Sequence, residues 1–167
     1  MREADVKHAA ELLQQLSILD HRGAVLSEMG ARPAAMVLRI MEVRVATQLM
    51  AAMAEGAATD VFRQVDVKLG GRMLEAMDPE RAGALLDQMT EKSAAMASGI
   101  LEKMPKRSAG GLVSLMKPEG AKVLLSKLPN KDAAGILSAM PPDKAAAIFD
   151  TMEPQGLAQK LLDVLAA

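Results

Sequence analysis

Histidine is the side chain most readily used for proton transfer near neutral pH, and this chain has two, His8 and His21. Neither has a serine or an acid placed as its partner in a triad. The chain contains no cysteine, which removes thiol nucleophiles, thiolate metal sites and disulfides. The expectation is a protein that is not an enzyme. Gly70-Gly71-Arg72 and Ala109-Gly110-Gly111 have neither the spacing of a phosphate loop nor a strand before them. Those glycines are better explained by helices that pack closely.

Carboxylates offer a second chemistry. Asp78, Glu80, Glu91, Glu119, Asp143 and Glu153 could donate oxygen to magnesium, an ion that keeps most of its waters and needs only one or two carboxylates. Their plainer role is to complement helix N-termini, and their spacing defines no ligand set. Asp87, Asp150 and Asp163 fall late in their helices, where a carboxylate opposes the helix dipole, so an external partner suits them better. Between Lys103 and Lys131 stand seven basic residues, Lys103, Lys106, Arg107, Lys117, Lys122, Lys127 and Lys131, against the two acids Glu102 and Glu119. Corners that alternate between two edges would gather Lys103, Lys106, Arg107, Lys127 and Lys131 on one of them. That edge is the candidate surface for an acidic partner, on protein or on lipid headgroups, although lysine-rich turns also serve simply as solvated surface.

The elements that hold these groups follow from a count of twelve. Met152, Met140, Leu128, Met116 and Met104 are spaced by twelve, as are Met89, Met77, Val65, Met53, Met41 and Met29. One fifteen-residue unit, Met89 to Met104, joins the two series, and its three extra residues approximate one helical turn. With each Met as position zero, position five is Ala34, Ala46, Ala58, Gly70, Ala82, Ala94, Ala109, Ala121, Ala133 and Ala145, with Leu157 the exception. Positions eight and nine are apolar, as in Leu85-Leu86, Ile136-Leu137 and Ile148-Phe149. Positions five, eight, nine and twelve form the i, i+3, i+4, i+7 stripe of an amphipathic helix. Thioethers at this spacing, replaced at will by Leu128 and Val65, fill a core and bind no soft metal.

Prolines 79, 105, 118, 129, 141, 142 and 154 follow the Met by one or two places and mark helix starts, while Asp78 and Glu153 sit where a capping carboxylate belongs. Each unit then reads as a helix of about eight to ten residues and a tight corner, too short to stand alone in water. The predicted fold is all-α, an α-solenoid or right-handed-type superhelix of about twelve short helices, each packing mainly on its sequence neighbours. Residues 1–167 are expected to form one domain, with 1–28 as N-terminal capping helices and 29–165 as repeats.

The remaining composition sets bounds. There are 14 Met and 2 Phe but no Trp or Tyr, so no aromatic platform exists for single-stranded nucleic acid, and a net charge of −1 gives no global field to attract a nucleic-acid duplex. The longest apolar stretch, Ala46 to Ala54, is about half the ~20 residues a spanning helix needs. The acidic start Met-Arg-Glu-Ala-Asp does not resemble a signal peptide, so a cytoplasmic location is expected.

MPPDKAAAIFDTMEP (140–154) and MDPERAGALLDQM (77–89) resemble the repeats of the intracellular N domain of MgtE-type magnesium channels, over about residues 29–165. Similar units occur in MotE-like flagellar proteins, and related right-angled helical packing occurs in the flagellar switch protein FliG. The resemblance implies a superhelix that precedes a pair of CBS domains and a membrane channel, neither of which lies within these 167 residues. It further implies regulatory magnesium held by acids between the N and CBS domains, though no residue here can be matched to a ligand. The expected function is a regulatory or interaction module that docks a partner such as a CBS-type domain, with magnesium the one cofactor implied. A homodimer is compatible with it. The alternative is a flagellar or other scaffold that binds a protein without sensing ions.

Overall fold

The computed structural model describes residues 2–15, 19–152 and 156–166, and all of their regular structure is α-helical. Two compact units divide the chain, residues 1–78 and 79–167. The first holds α1 (Glu3–Gln15), α2 (Leu19–Glu28), α3 (Ala31–Ile40), α4 (Val43–Ala52), α5 (Glu55–Phe62) and α6 (Val67–Ala76). The second holds α7 (Pro79–Lys103), α8 (Lys106–Val113), α9 (Pro118–Lys127), α10 (Asn130–Ser138), α11 (Pro142–Asp150) and α12 (Leu157–Leu165).

The corners at Met41, Met53 and Leu128 are two-residue extended steps, whereas the corner before α3 turns at Gly30 (φ 83°, ψ 157°). Met41, Met53, Met77 and Leu128 close their helices with φ between −75° and −87° and ψ between 154° and 161°. The next residue, at position one, has φ near −60° and ψ near 140°, as in Glu42, Ala54, Lys117 and Pro129. That is the conformation to which proline is locked, and the extended residue before it is the one proline demands of its predecessor. Hence Pro105, Pro129 and Pro141 stand at position one, while Pro118 and Pro142 open the first turn. The first helical hydrogen bond runs from the position-five N–H to the position-one carbonyl, at 2.9–3.1 Å in Ala34→Gly30, Ala46→Glu42, Ala109→Pro105 and Ala133→Pro129. Proline therefore sits where only its carbonyl is needed. Asp66 adds a side-chain cap to α6, accepting from the Leu69 N–H at 2.9 Å; Glu153 lies outside the described residues.

The stripe is buried as its spacing requires. Met41, Met53, Val65, Met77, Met104, Met116, Leu128, Met140 and Met152 are all buried, and Ala34, Ala46, Ala58, Ala82, Ala109, Ala121 and Ala133 are fully so. The fifteen-residue unit resets the register. α7 continues past Met89 through Lys92 and is broken at Ser93 (φ −164°, ψ 80°), so its arms 79–92 and 94–103 act as two helices. Ala97 then takes the fully buried small position, and Ala94 is only half-buried.

Packing between sequence neighbours is secondary. The principal contacts join α1 to α3, α2 to α4, α3 to α5 and α4 to α6 in the first unit, and α7 to α9, α8 to α10, α9 to α11 and α10 to α12 in the second, with the two-armed α7 also meeting α8. One extended corner swings the next helix off the axis of the last, and a second corner brings the chain back alongside, so a helix meets its partner two repeats on.

The seam between such partners has a fixed register, joining position six of one repeat to position eleven of the repeat two further on. A Cβ on Gly110 would lie 2.9 Å from the Ile136 carbonyl oxygen and 3.1 Å from the Ala139 Cβ. A Cβ on Gly23 would clash with the Ala52 carbonyl oxygen, and one on Gly83 would lie 3.0 Å from the Leu115 Cβ. Position six is small in most repeats: Ala35, Gly71 and Ala134 are buried there, and so are Thr47, Thr59 and Ser98, with Lys122 the exception. Those hydroxyls donate to carbonyls of their own helical turn, Thr47 to Val43 at 2.8 Å and Ser98 to Ala95 at 3.0 Å, so their burial leaves no donor unmet. At the last stacked layers the stripe is less covered. Ile148 is buried, but Ala145 and Phe149 are only half so, because α11 has α9 on one side and no helix stacked on the other among the described residues.

Candidate functional site

The basic edge of the second unit is built on the N-terminal turns of α8 and α10. Lys106 Nζ lies 2.8 Å from Asp132 Oδ1, and the Lys106 stem runs over Gly135. Lys103 Nζ lies 2.7 Å from Glu102 Oε1; that hydrogen bond, with the Glu102 charge and a smaller contribution from Asp132, raises the Lys103 pKa. Asp132 thus acts on both lysines, which places the end of α7 and the starts of α8 and α10 on one edge. It stands one residue beyond the lysine-rich stretch and neutralises part of its charge. Arg107, Lys127 and Lys131 are exposed and have no anionic partner among the described residues. Lys122 is engaged within the stack, where its Nζ donates to the Thr151 carbonyl at 2.7 Å and closes α11 across the same six-to-eleven seam.

The acids separate in the same way. Asp87 accepts the Lys117 backbone N–H at 3.2 Å and so caps α9 from α7, across 30 residues of sequence. Gly120 makes room, since a Cβ there would lie 2.5 Å from Asp87 Oδ1. Burial pushes the Asp87 pKa up, opposed by the Lys117 N–H and its charge, with Glu91 and Glu119 adding repulsion. A carboxylate late in its own helix is therefore matched to the N-terminus of another. Asp163 accepts from Gln159 Nε2 at 2.8 Å, and Asp150 is exposed. Asp78, Glu80 and Asp143 are exposed around the starts of α7 and α11.

Asp87, Glu91 and Glu119 line one cleft of about 270 Å³ with Thr90, Lys117 and Gly120. It does not fit a magnesium ion as it stands. An oxygen of Asp87 is engaged by a backbone donor, and Lys117 sets a cation on the rim. His8 and His21 are exposed, on α1 and α2.

Twelve-residue repeats, each a short helix closed by a tight corner and stacked on its second neighbour, form the pattern of a known domain family. The description of the MgtE intracellular N domain matches residues 1–90 and 92–166. The chain belongs to this family. No curated protein and no solved structure matches it significantly. The two matched segments of this MgtE N-domain protein divide at residue 91, about one repeat beyond the division of its compact units between Asp78 and Pro79. No helix of the described residues is long and apolar enough to cross a membrane.

Three features of the site are not legible in the sequence. The Lys106–Asp132 pair, the Asp87 cap and the position-six seam each join residues 26 to 32 apart, and none leaves a local pattern. Small residues at position six are the one signal that could have disclosed the seam.

Proposed function

We propose that this MgtE N-domain protein is a non-catalytic docking module whose partner lays an acidic surface on the edge carrying Arg107, Lys127 and Lys131. The observation that carries the reading is the contrast on that edge: Lys103 and Lys106 are matched by Glu102 and Asp132, whereas Arg107, Lys127 and Lys131 are exposed without an anion among the described residues. A CBS-type domain is the partner that family membership favours. Magnesium enters this reading through ligands shared with the partner, because the Asp87 cleft does not hold the ion alone. The role is regulatory in that the ion and the partner strengthen each other's binding, which linkage makes reciprocal.

Calorimetric titration of the full chain with a CBS-domain pair from an MgtE-type channel, with and without millimolar magnesium, tests it. Binding should strengthen with magnesium, and Arg107→Glu/Lys127→Glu/Lys131→Glu should abolish it while leaving the melting curve in place. Binding that ignores the triple variant rejects the edge. Binding that ignores magnesium supports an ion-independent scaffold instead.

A further inference from the structure

The first unit holds a cleft that neither the stack nor the docking edge uses. Arg32, Ala35, Met36 and Arg39 of α3 and Gln64, at the end of α5, line a space of about 240 Å³. It lies on the six-to-eleven seam, where Ala35 is position six and Gln64 position eleven. This stretch of the seam is flanked by two guanidiniums and floored by a carboxamide. Arg32, Arg39 and Gln64 are exposed, and their side chains have no partner among the described residues. Arg39 and Met36 continue into a second cleft with Ile40, which is 49% exposed.

We infer that this cleft is a docking site for an acidic amphipathic helix, with Arg32 and Arg39 each taking a carboxylate and Met36 and Ile40 meeting an apolar side chain between them. Charge complementarity selects the occupant. Guanidinium presents a rigid fork to carboxylate, and both forks here lack an anion among the described residues. Their seven-residue separation is two turns, ~10.5 Å of rise along α3, the same rise that separates positions i and i+7 of a partner helix. A lipid surface or nucleic acid would need a broad cationic field, whereas Glu3 lines the adjoining cleft. The inference rests on first-unit residues alone and stands or falls separately from the basic edge of the second unit.

Fluorescence anisotropy of the full chain with labelled alanine-rich helical peptides tests it. The probe carries glutamates at i and i+7 with leucines at i+3 and i+4; one control replaces both glutamates by glutamine, and another places them at i and i+3. The first peptide should bind most tightly. Arg32→Ala/Arg39→Ala should weaken it by about tenfold, as expected for two exposed ion pairs, and Arg44→Ala, an exposed arginine on α4, should leave it unchanged. No binding of the first peptide, equal binding of the glutamine peptide, or insensitivity to the double variant in a chain of unchanged circular dichroism overturns the proposal. Displacement by inorganic phosphate or anionic vesicles as effective as by unlabelled peptide overturns it in favour of a small-anion or lipid site.

Discussion

Gly110 and Gly111 are adjacent residues of one short helix, yet the structure assigns opposite signs to the same substitution at each. Alanine is favoured over glycine in a helix interior by about 0.5–1 kcal/mol, because glycine loses more backbone freedom on folding. At Gly111 nothing lies within 4 Å of an added Cβ, so Gly111→Ala should stabilise by roughly that amount. At Gly110 the added Cβ would stand 2.9 Å from the Ile136 carbonyl oxygen and 3.1 Å from the Ala139 backbone carbon. Those are backbone atoms of the α10 layer, so relief requires α8 and α10 to separate by several tenths of an ångström. Overpacking of that kind costs about 1–3 kcal/mol, which outweighs the gain in helix propensity and leaves Gly110→Ala destabilising by about 1–2 kcal/mol. The two variants should therefore differ by about 2–3 kcal/mol in urea unfolding followed by circular dichroism, or by several degrees in Tm at about 2–4 °C per kcal/mol. If both shift stability in the same direction, the close approach of second-neighbour helices at position six is wrong.

Ala133 is fully buried at position five, and Ala133→Leu should cost about 1–3 kcal/mol in the same unfolding assay. Asp87 gives a pH signature. A carboxyl whose folded pKa is raised binds its proton more tightly in the native state, so its contribution to stability is present below its ordinary value of 3.8 and is lost as pH rises through the folded pKa. Asp87→Asn keeps an oxygen for the Lys117 N–H but cannot ionise. Its stability relative to the native sequence should rise as pH climbs from about 3.5 through that window, and a flat difference would reject the raised pKa. Millimolar magnesium should leave the Tm of the isolated chain unchanged, since a ligand stabilises only where a site is preformed; an upward shift would show that the acids of this chain form a site without a partner.

The sequence by itself determined the repeat, the corners at Met41, Met53, Val65, Met77, Met104, Met116, Leu128 and Met140 and the stripe that is buried, because each is a short-range matter. Proline restricts its own φ and its predecessor's ψ, and an amphipathic period of twelve leaves one face to hide. Even the fifteen-residue unit was legible as an added turn, though not its outcome, a break moved from Met89 to Ser93. Tertiary structure decided which helices meet. Two extended corners return the chain beside the helix two repeats back, so the pairs that matter, Gly110 with Ala139, Lys122 with Thr151, Asp87 with Lys117 and Lys106 with Asp132, lie 26 to 30 residues apart. At that distance no periodicity tells which lysine is neutralised and which is left for a partner. That choice belongs to the stacking register, which divided Lys106 from Arg107, Lys127 and Lys131 and set Arg32 and Arg39 along one open seam.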